Sequence, residues 1–95
     1  MSVRRGRGAR LPVEAAKRVP ILEVARRLGL GEPEARGREL AVRCPLHHDH
    51  DPSCYLNPQR NLWHCFVCGE GGDGIRLMQR AKGISFEEAV RQLIR

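Results

Sequence analysis

The chain has 95 residues, a formal charge of +6 and only four aromatic side chains, so it makes one small domain with a thin apolar core. No apolar run approaches the ~18–20 residues of a membrane span, and the basic N-terminus lacks the apolar stretch of a secretory leader. The charge is uneven: Arg4, Arg5, Arg7 and Arg10 share the first ten residues with no acid, whereas the remainder is close to balanced. Residues 1–10 therefore read as a disordered basic tail, suited to solubility or to nucleic-acid contact, and 11–95 as the domain.

In chain order, Leu11 to Arg18 predicts a short helix that Pro20 interrupts. Pro20 can open a second helix, in which Ile21, Val24, Ala25 and Leu28 recur at helical spacing before Gly29 stops it. Leu30 to Arg38 holds Gly31, Pro33 and Gly37 and reads as a loop. Strands are expected over Glu39–Arg43, Ser53–Leu56 and Leu62–Phe66, the last two joined by the turn-forming Asn57-Pro58-Gln59-Arg60-Asn61. Two helices close the pattern. Asp73 caps the first, which carries Ile75, Leu77, Met78 and Ala81 and stops at Gly83; Ser85 and Glu88 form a capping box for the second, which carries Phe86, Ala89, Val90, Leu93 and Ile94. The expected fold is α+β: a small ribbon with a three-stranded antiparallel sheet, flanked by N-terminal and C-terminal helices.

The strongest motif is Cys44-Pro45-Leu46-His47, seventeen residues, then Cys65-Phe66-Val67-Cys68. Two residues between ligands let a tight turn aim both donors at one ion, and a hairpin in the gap brings the two turns together. Three sulfurs and a nitrogen suit Zn²⁺ in a closed, structural site, which makes the expected three-stranded ribbon a zinc ribbon. Gly69 fits a positive-φ position after the second turn. Binding on the order of 10–16 kcal/mol would exceed what so small a core supplies, so the apo chain should lose at least the hairpin region. Catalytic zinc is disfavoured, because four ligands leave no place for water and no zinc-hydrolase or deaminase signature is present. Cys54 reads as a small buried hydrophobe. The run His48, Asp49, His50, Asp51 reads as a solvated turn in preference to a second cation site. Gly69-Glu70-Gly71-Gly72-Asp73-Gly74 matches a dinucleotide fingerprint in letters only, since a helix and not a parallel strand follows.

Tyr55, Trp63 and Phe66 cluster beside Arg43 and Arg60, a composition that suits either a ribbon core or a platform on which bases stack. His64 should point away from the face that carries the Cys65 sulfur.

With these residues in place, the sequence resembles the N-terminal zinc-binding domain of bacterial and phage DnaG-type DNA primases. The resemblance rests on Cys44-Pro45-Leu46-His47, Pro52-Ser53, His64-Cys65-Phe66-Val67-Cys68-Gly69, Gly72-Asp73 and Phe86-Glu87-Glu88-Ala89-Val90 with Leu93, and runs from about Val19 to Leu93. It implies Cys44, His47, Cys65 and Cys68 as ligands of one structural zinc. It also implies a sheet face that engages single-stranded template for primer initiation, with a catalytic domain or subunit and a replicative helicase as partners in the cytoplasm. Candidate template contacts are Arg43, His50, Tyr55, Arg60, Trp63 and Lys82. His50 stands where the family usually has lysine, Cys54 where it has phenylalanine, and Trp63 where tyrosine is common. A Toprim-type catalytic domain does not fit within this length, so the chain is not expected to be an enzyme on its own. A zinc-ribbon adaptor between proteins is the alternative role.

Overall fold

The computed structural model describes residues 11–47 and 51–95; the expected tail at residues 1–10 and most of the His48–Asp51 run lie outside them. Among the described residues, four helices pack over one face of a five-stranded antiparallel sheet. The elements are α1 (Val13–Lys17), α2 (Ile21–Arg27), β1 (Glu34–Arg36), β2 (Glu39–Val42), β3 (Cys54–Asn57), β4 (Leu62–Cys65), β5 (Gly71–Gly72), α3 (Gly74–Lys82) and α4 (Phe86–Leu93). The strands follow one another across the sheet in chain order, every pair antiparallel.

Each helix boundary has a local cause. Asp73 accepts the Arg76 amide at 2.9 Å and Ser85 accepts the Glu88 amide at 3.1 Å, so both C-terminal helices start at the expected caps. Gly83 ends α3 in the left-handed region at φ 65°. Pro20 sits one position earlier than expected, at the N-cap of α2, where it offers no side-chain acceptor. Asn61, 40 residues further along the chain, fills that role. Its Oδ1 accepts the Ile21 amide at 2.6 Å, and its Nδ2 donates to the carbonyls of Lys17 and Val19 at 2.9 and 3.1 Å. One turn residue thus ties the β3–β4 hairpin to the junction of α1 and α2.

The expected three strands become five. β1 lies in the segment read as a loop, because its three residues are all exposed and carry no apolar alternation. Pairing of Arg36 with Glu39 leaves a two-residue turn over Gly37-Arg38, and Gly37 takes the φ of 62° such a turn requires. β5 is the glycine run. Gly71 pairs with His64, and a Cβ there would stand 2.8 Å from the Trp63 carbonyl, so only glycine lets this strand close on β4.

The core lies between the sheet and the helices. Leu56, Trp63, Cys54 and Cys65 from the sheet meet Ile21, Val24, Ile75, Leu77, Met78, Val90 and Leu93 from the helices, all essentially buried. Alternation along β3 and β4 therefore sends Cys54, Leu56, Trp63 and Cys65 inward and Tyr55, Asn57, Leu62 and His64 outward. Among the described residues no helix is long and apolar enough to cross a membrane.

Candidate metal centre and the open sheet face

Two turns meet at one end of the sheet. The first follows β2: Cys44 is buried and its sulfur receives the Leu46 amide at 3.5 Å, which bends Pro45 and Leu46 around it and brings His47 back. The second leaves β4 at Cys65. Its Gly69 amide donates to the Cys65 carbonyl at 2.9 Å, and Gly69 turns at φ 71°, the positive value expected there. Donor atoms of Cys44, His47, Cys65 and Cys68 all lie within 4.8 Å of one another. The Cys44 and Cys68 sulfurs are 3.8 Å apart, about the edge of a tetrahedron with Zn–S bonds of about 2.3 Å. Three thiols and an imidazole at this spacing fit one zinc ion.

Ser53 supports the centre from behind. Its hydroxyl lies 3.4 Å from His47 Nε2 and 3.4 Å from Cys65 Sγ, so one side chain orients a ligand from each turn. The environments of the sulfurs differ. Burial pushes the Cys44 thiol well above its ordinary range, and the neighbouring thiols of Cys65 and Cys68 add to that. Burial acts on Cys65 in the same direction, yet the hydrogen bonds from Ser53 and from the backbone amides of Cys68 and Val67 outweigh it and bring that thiol to about 7. Cys65 is therefore readier than Cys44 to bind as thiolate.

Cys54 stands outside this cluster and is buried at 0% exposure, as a small core residue would be. His64 points away from the metal side, also as expected.

The outer face of the sheet carries a second constellation. Tyr55 and His64 are directly paired across β3 and β4. Phe66 stacks edge-on against both, with ring centroids 4.9 Å from Tyr55 and 4.6 Å from His64. Phe66 is 65% exposed and its neighbour Val67 68%. Arg43 and Arg60 are exposed, Arg60 in the β3–β4 turn where the Asn57 carboxamide holds its amide at 3.0 Å. Not every sequence candidate joins this face. Trp63 faces the core, is 2% exposed, and donates its indole N–H to the Asp73 carbonyl at 2.9 Å, so its ring is not offered to a base. Lys82 ends α3 in the helical layer, where its ammonium donates to Gln92 Oε1 at 2.8 Å. His50 lies outside the described residues. Phe66 was absent from the candidate contacts although the signal was present: if Cys65 points inward, residues 64 and 66 must point outward.

Two Cys/His turns closing on one ion at the end of an antiparallel sheet define a zinc-ribbon domain. A family model described as the CHC2 zinc finger, the zinc ribbon of DnaG, matches residues 16–95, and the chain belongs to that family. It is 42% identical over 57 residues to the DNA primase of Thermotoga maritima, covering 60% of this chain and 10% of that protein. The DNA primase of Aquifex aeolicus is 38% identical over 60 residues, which is 63% of this chain and 12% of that one. A crystal structure of the Aquifex aeolicus primase, comprising zinc-binding and RNA polymerase domains, matches with a TM-score of 0.73 at 30% identity, covering 85% of this chain and 20% of that one. The chain thus spans about a tenth of the length of these curated relatives. It is a zinc-binding domain of the DNA primase type.

Proposed function

We propose that this domain holds single-stranded DNA template against its outer sheet face during primer initiation, while a separate catalytic domain or subunit polymerises the nucleotides. Zinc fixes the ribbon and does no chemistry. The observation that carries the reading is the cluster of half-buried Tyr55 with exposed His64 and Phe66, on a ribbon that also exposes Arg43 and Arg60. Aromatic rings accept any base by stacking, worth about 1–3 kcal/mol each, and the guanidiniums neutralise phosphates without reading sequence. Residues 11–95 act as the unit, in the cytoplasm alongside the replication machinery; a replicative helicase is a further partner in this reading. Kinship with proteins named DNA primase supports a DNA partner over a purely protein one.

Titration of the zinc-loaded chain with short fluorescent single-stranded oligonucleotides tests this. Affinity should fall with salt, with a log–log slope of about −0.7 for each phosphate contacted. Phe66→Ala should weaken binding by about 1–3 kcal/mol, and Arg60→Ala should flatten the salt slope. No binding at low salt by a zinc-replete protein would favour the adaptor role, in which Phe66 and Val67 dock a protein.

A further inference from the structure

Three of the four cysteines belong to the donor cluster, and the fourth, Cys54, is placed against it. The β3–β4 ladder sets Cys54 directly opposite Cys65, both fully buried and on the same face. The hydrogen bonds define what kind of pair this is. The Phe66 amide donates to the Ser53 carbonyl at 3.3 Å, whereas the Cys65 amide turns away from β3 to the Glu70 carbonyl at 2.8 Å. Residues 53 and 66 are therefore a hydrogen-bonded pair, and Cys54 and Cys65 form the adjacent non-hydrogen-bonded one. Such pairs bring their Cα atoms to roughly 4.5 Å with the side chains closest. That lies inside the Cα separation of about 4.4–6.8 Å that a disulfide needs. Meanwhile the sulfurs of Cys44 and Cys68 are 3.8 Å apart. The four cysteines can therefore close as two disulfides, Cys54 with Cys65 and Cys44 with Cys68, leaving none over.

We propose that Cys54 is a resolving thiol for the zinc centre: when peroxide oxidises the ligands, Cys54 closes a cross-strand disulfide with Cys65 and zinc leaves in a way that reduction reverses. Peroxide delivers one oxygen to the Cys65 sulfur, its O–O bond breaks, and a sulfenic acid and hydroxide form. The Cys54 sulfur then attacks the Cys65 sulfur, the S–O bond breaks, and the departing hydroxide leaves as water with the Cys54 proton. Each sulfur has given one electron to a single peroxide molecule. Zinc loses the Cys65 ligand, and Cys44 can join Cys68 by the same chemistry. Without Cys54, three cysteines remain and one always lacks a disulfide partner. That sulfur stays open to further oxidation to sulfinic acid, which thiol reductants do not reverse. The inference rests on the zinc centre and is independent of template binding.

The test uses the full zinc-loaded chain treated with hydrogen peroxide, with zinc release followed by a chromogenic chelator. Disulfides are mapped after cleavage at Leu46, Arg60 and Phe66, which places all four cysteines on separate peptides. The expected result is a Cys54–Cys65 linked peptide, and complete zinc re-uptake once the protein is reduced. Cys54→Val, which keeps an apolar side chain in the strand, should release zinc but regain only part of it, the remainder carrying sulfinic acid at a former ligand. Mapping of the unmodified chain needs no variant and guards against a folding defect. Cys65 linked only to Cys44 or Cys68 would overturn the proposal, as would full zinc recovery by a folded Cys54→Val chain.

Discussion

The two faces of the sheet are built from alternate residues of the same strands, yet they are organised for different ends. Inward, Leu56 and Trp63 are locked under four helices, and Cys65 reaches the metal centre. Outward, Phe66 packs T-shaped against both Tyr55 and His64, and the three are left open to solvent or half so. The contrast teaches that a ribbon with four aromatic residues keeps only one of them, Trp63, as deep core. Two more, Tyr55 and Phe66, stand on the opposite side of the sheet, half-buried and exposed respectively, an arrangement that packing alone does not favour.

The largest blow to the inner face is loss of the ion. Chelation, or Cys65→Ser, should remove on the order of 10–16 kcal/mol of binding energy and open the β3–β4 end. Amide exchange should report it as lost protection at Cys54–Asn57 and Leu62–Cys65, and an unchanged cooperative melt after chelation would mean that the helices alone hold the sheet. Zinc affinity should also fall as pH drops. Binding must strip protons from thiols, above all from Cys44, whose thiol is pushed up by burial, while Cys65 at about 7 yields its proton more readily. Competition with a chelating dye across pH measures the slope.

Next in size is the paired substitution that separates the faces. Trp63→Ala should cost about 3–5 kcal/mol of stability, as a buried aromatic removed from a core does. Phe66→Ala should cost about 0.5–1.5 kcal/mol, the worth of an aromatic ring contact such as those it makes with Tyr55 and His64. Denaturant melts of both proteins, set beside their oligonucleotide titrations, should show opposite rankings for stability and binding. Equal destabilisation by the two would make Phe66 a core residue in disguise.

Asn61→Ala comes third, at about 1–3 kcal/mol, because the part-buried Ile21 amide and Val19 carbonyl and the exposed Lys17 carbonyl lose their partner. Asn61→Gly should cost the same hydrogen bonds while keeping the φ of 58° accessible, so the difference between the two variants isolates the backbone strain. The smallest effect lies on the surface of α2, at Glu23. Arg26 and Arg27 hold the Glu23 carboxyl down to about 2, from an ordinary value near 4.5. A depressed folded-state value contributes stability above the unfolded value that disappears as pH falls from about 4.5 towards 2. Glu23→Gln should therefore leave the melt unchanged in strong acid and lower it slightly at neutral pH, the exposed pair being weak in any case.

What the amino-acid order determined by itself was local or short-ranged: the two ligand turns, their soft donor set, the caps at Asp73 and Ser85, and the strand parity that turns His64 away from the metal. Each follows from the spacing of a few neighbours along one chain direction. Tertiary structure decided the rest. β1 has no buried side chain to leave an alternating trace, and β5 is two glycines whose strand character exists only because β4 lies beside them. Trp63 and Phe66 are both aromatic and three residues apart. Burial of the first and exposure of the second depended on which side of the sheet the helices came to cover, a choice made by contacts across the whole molecule.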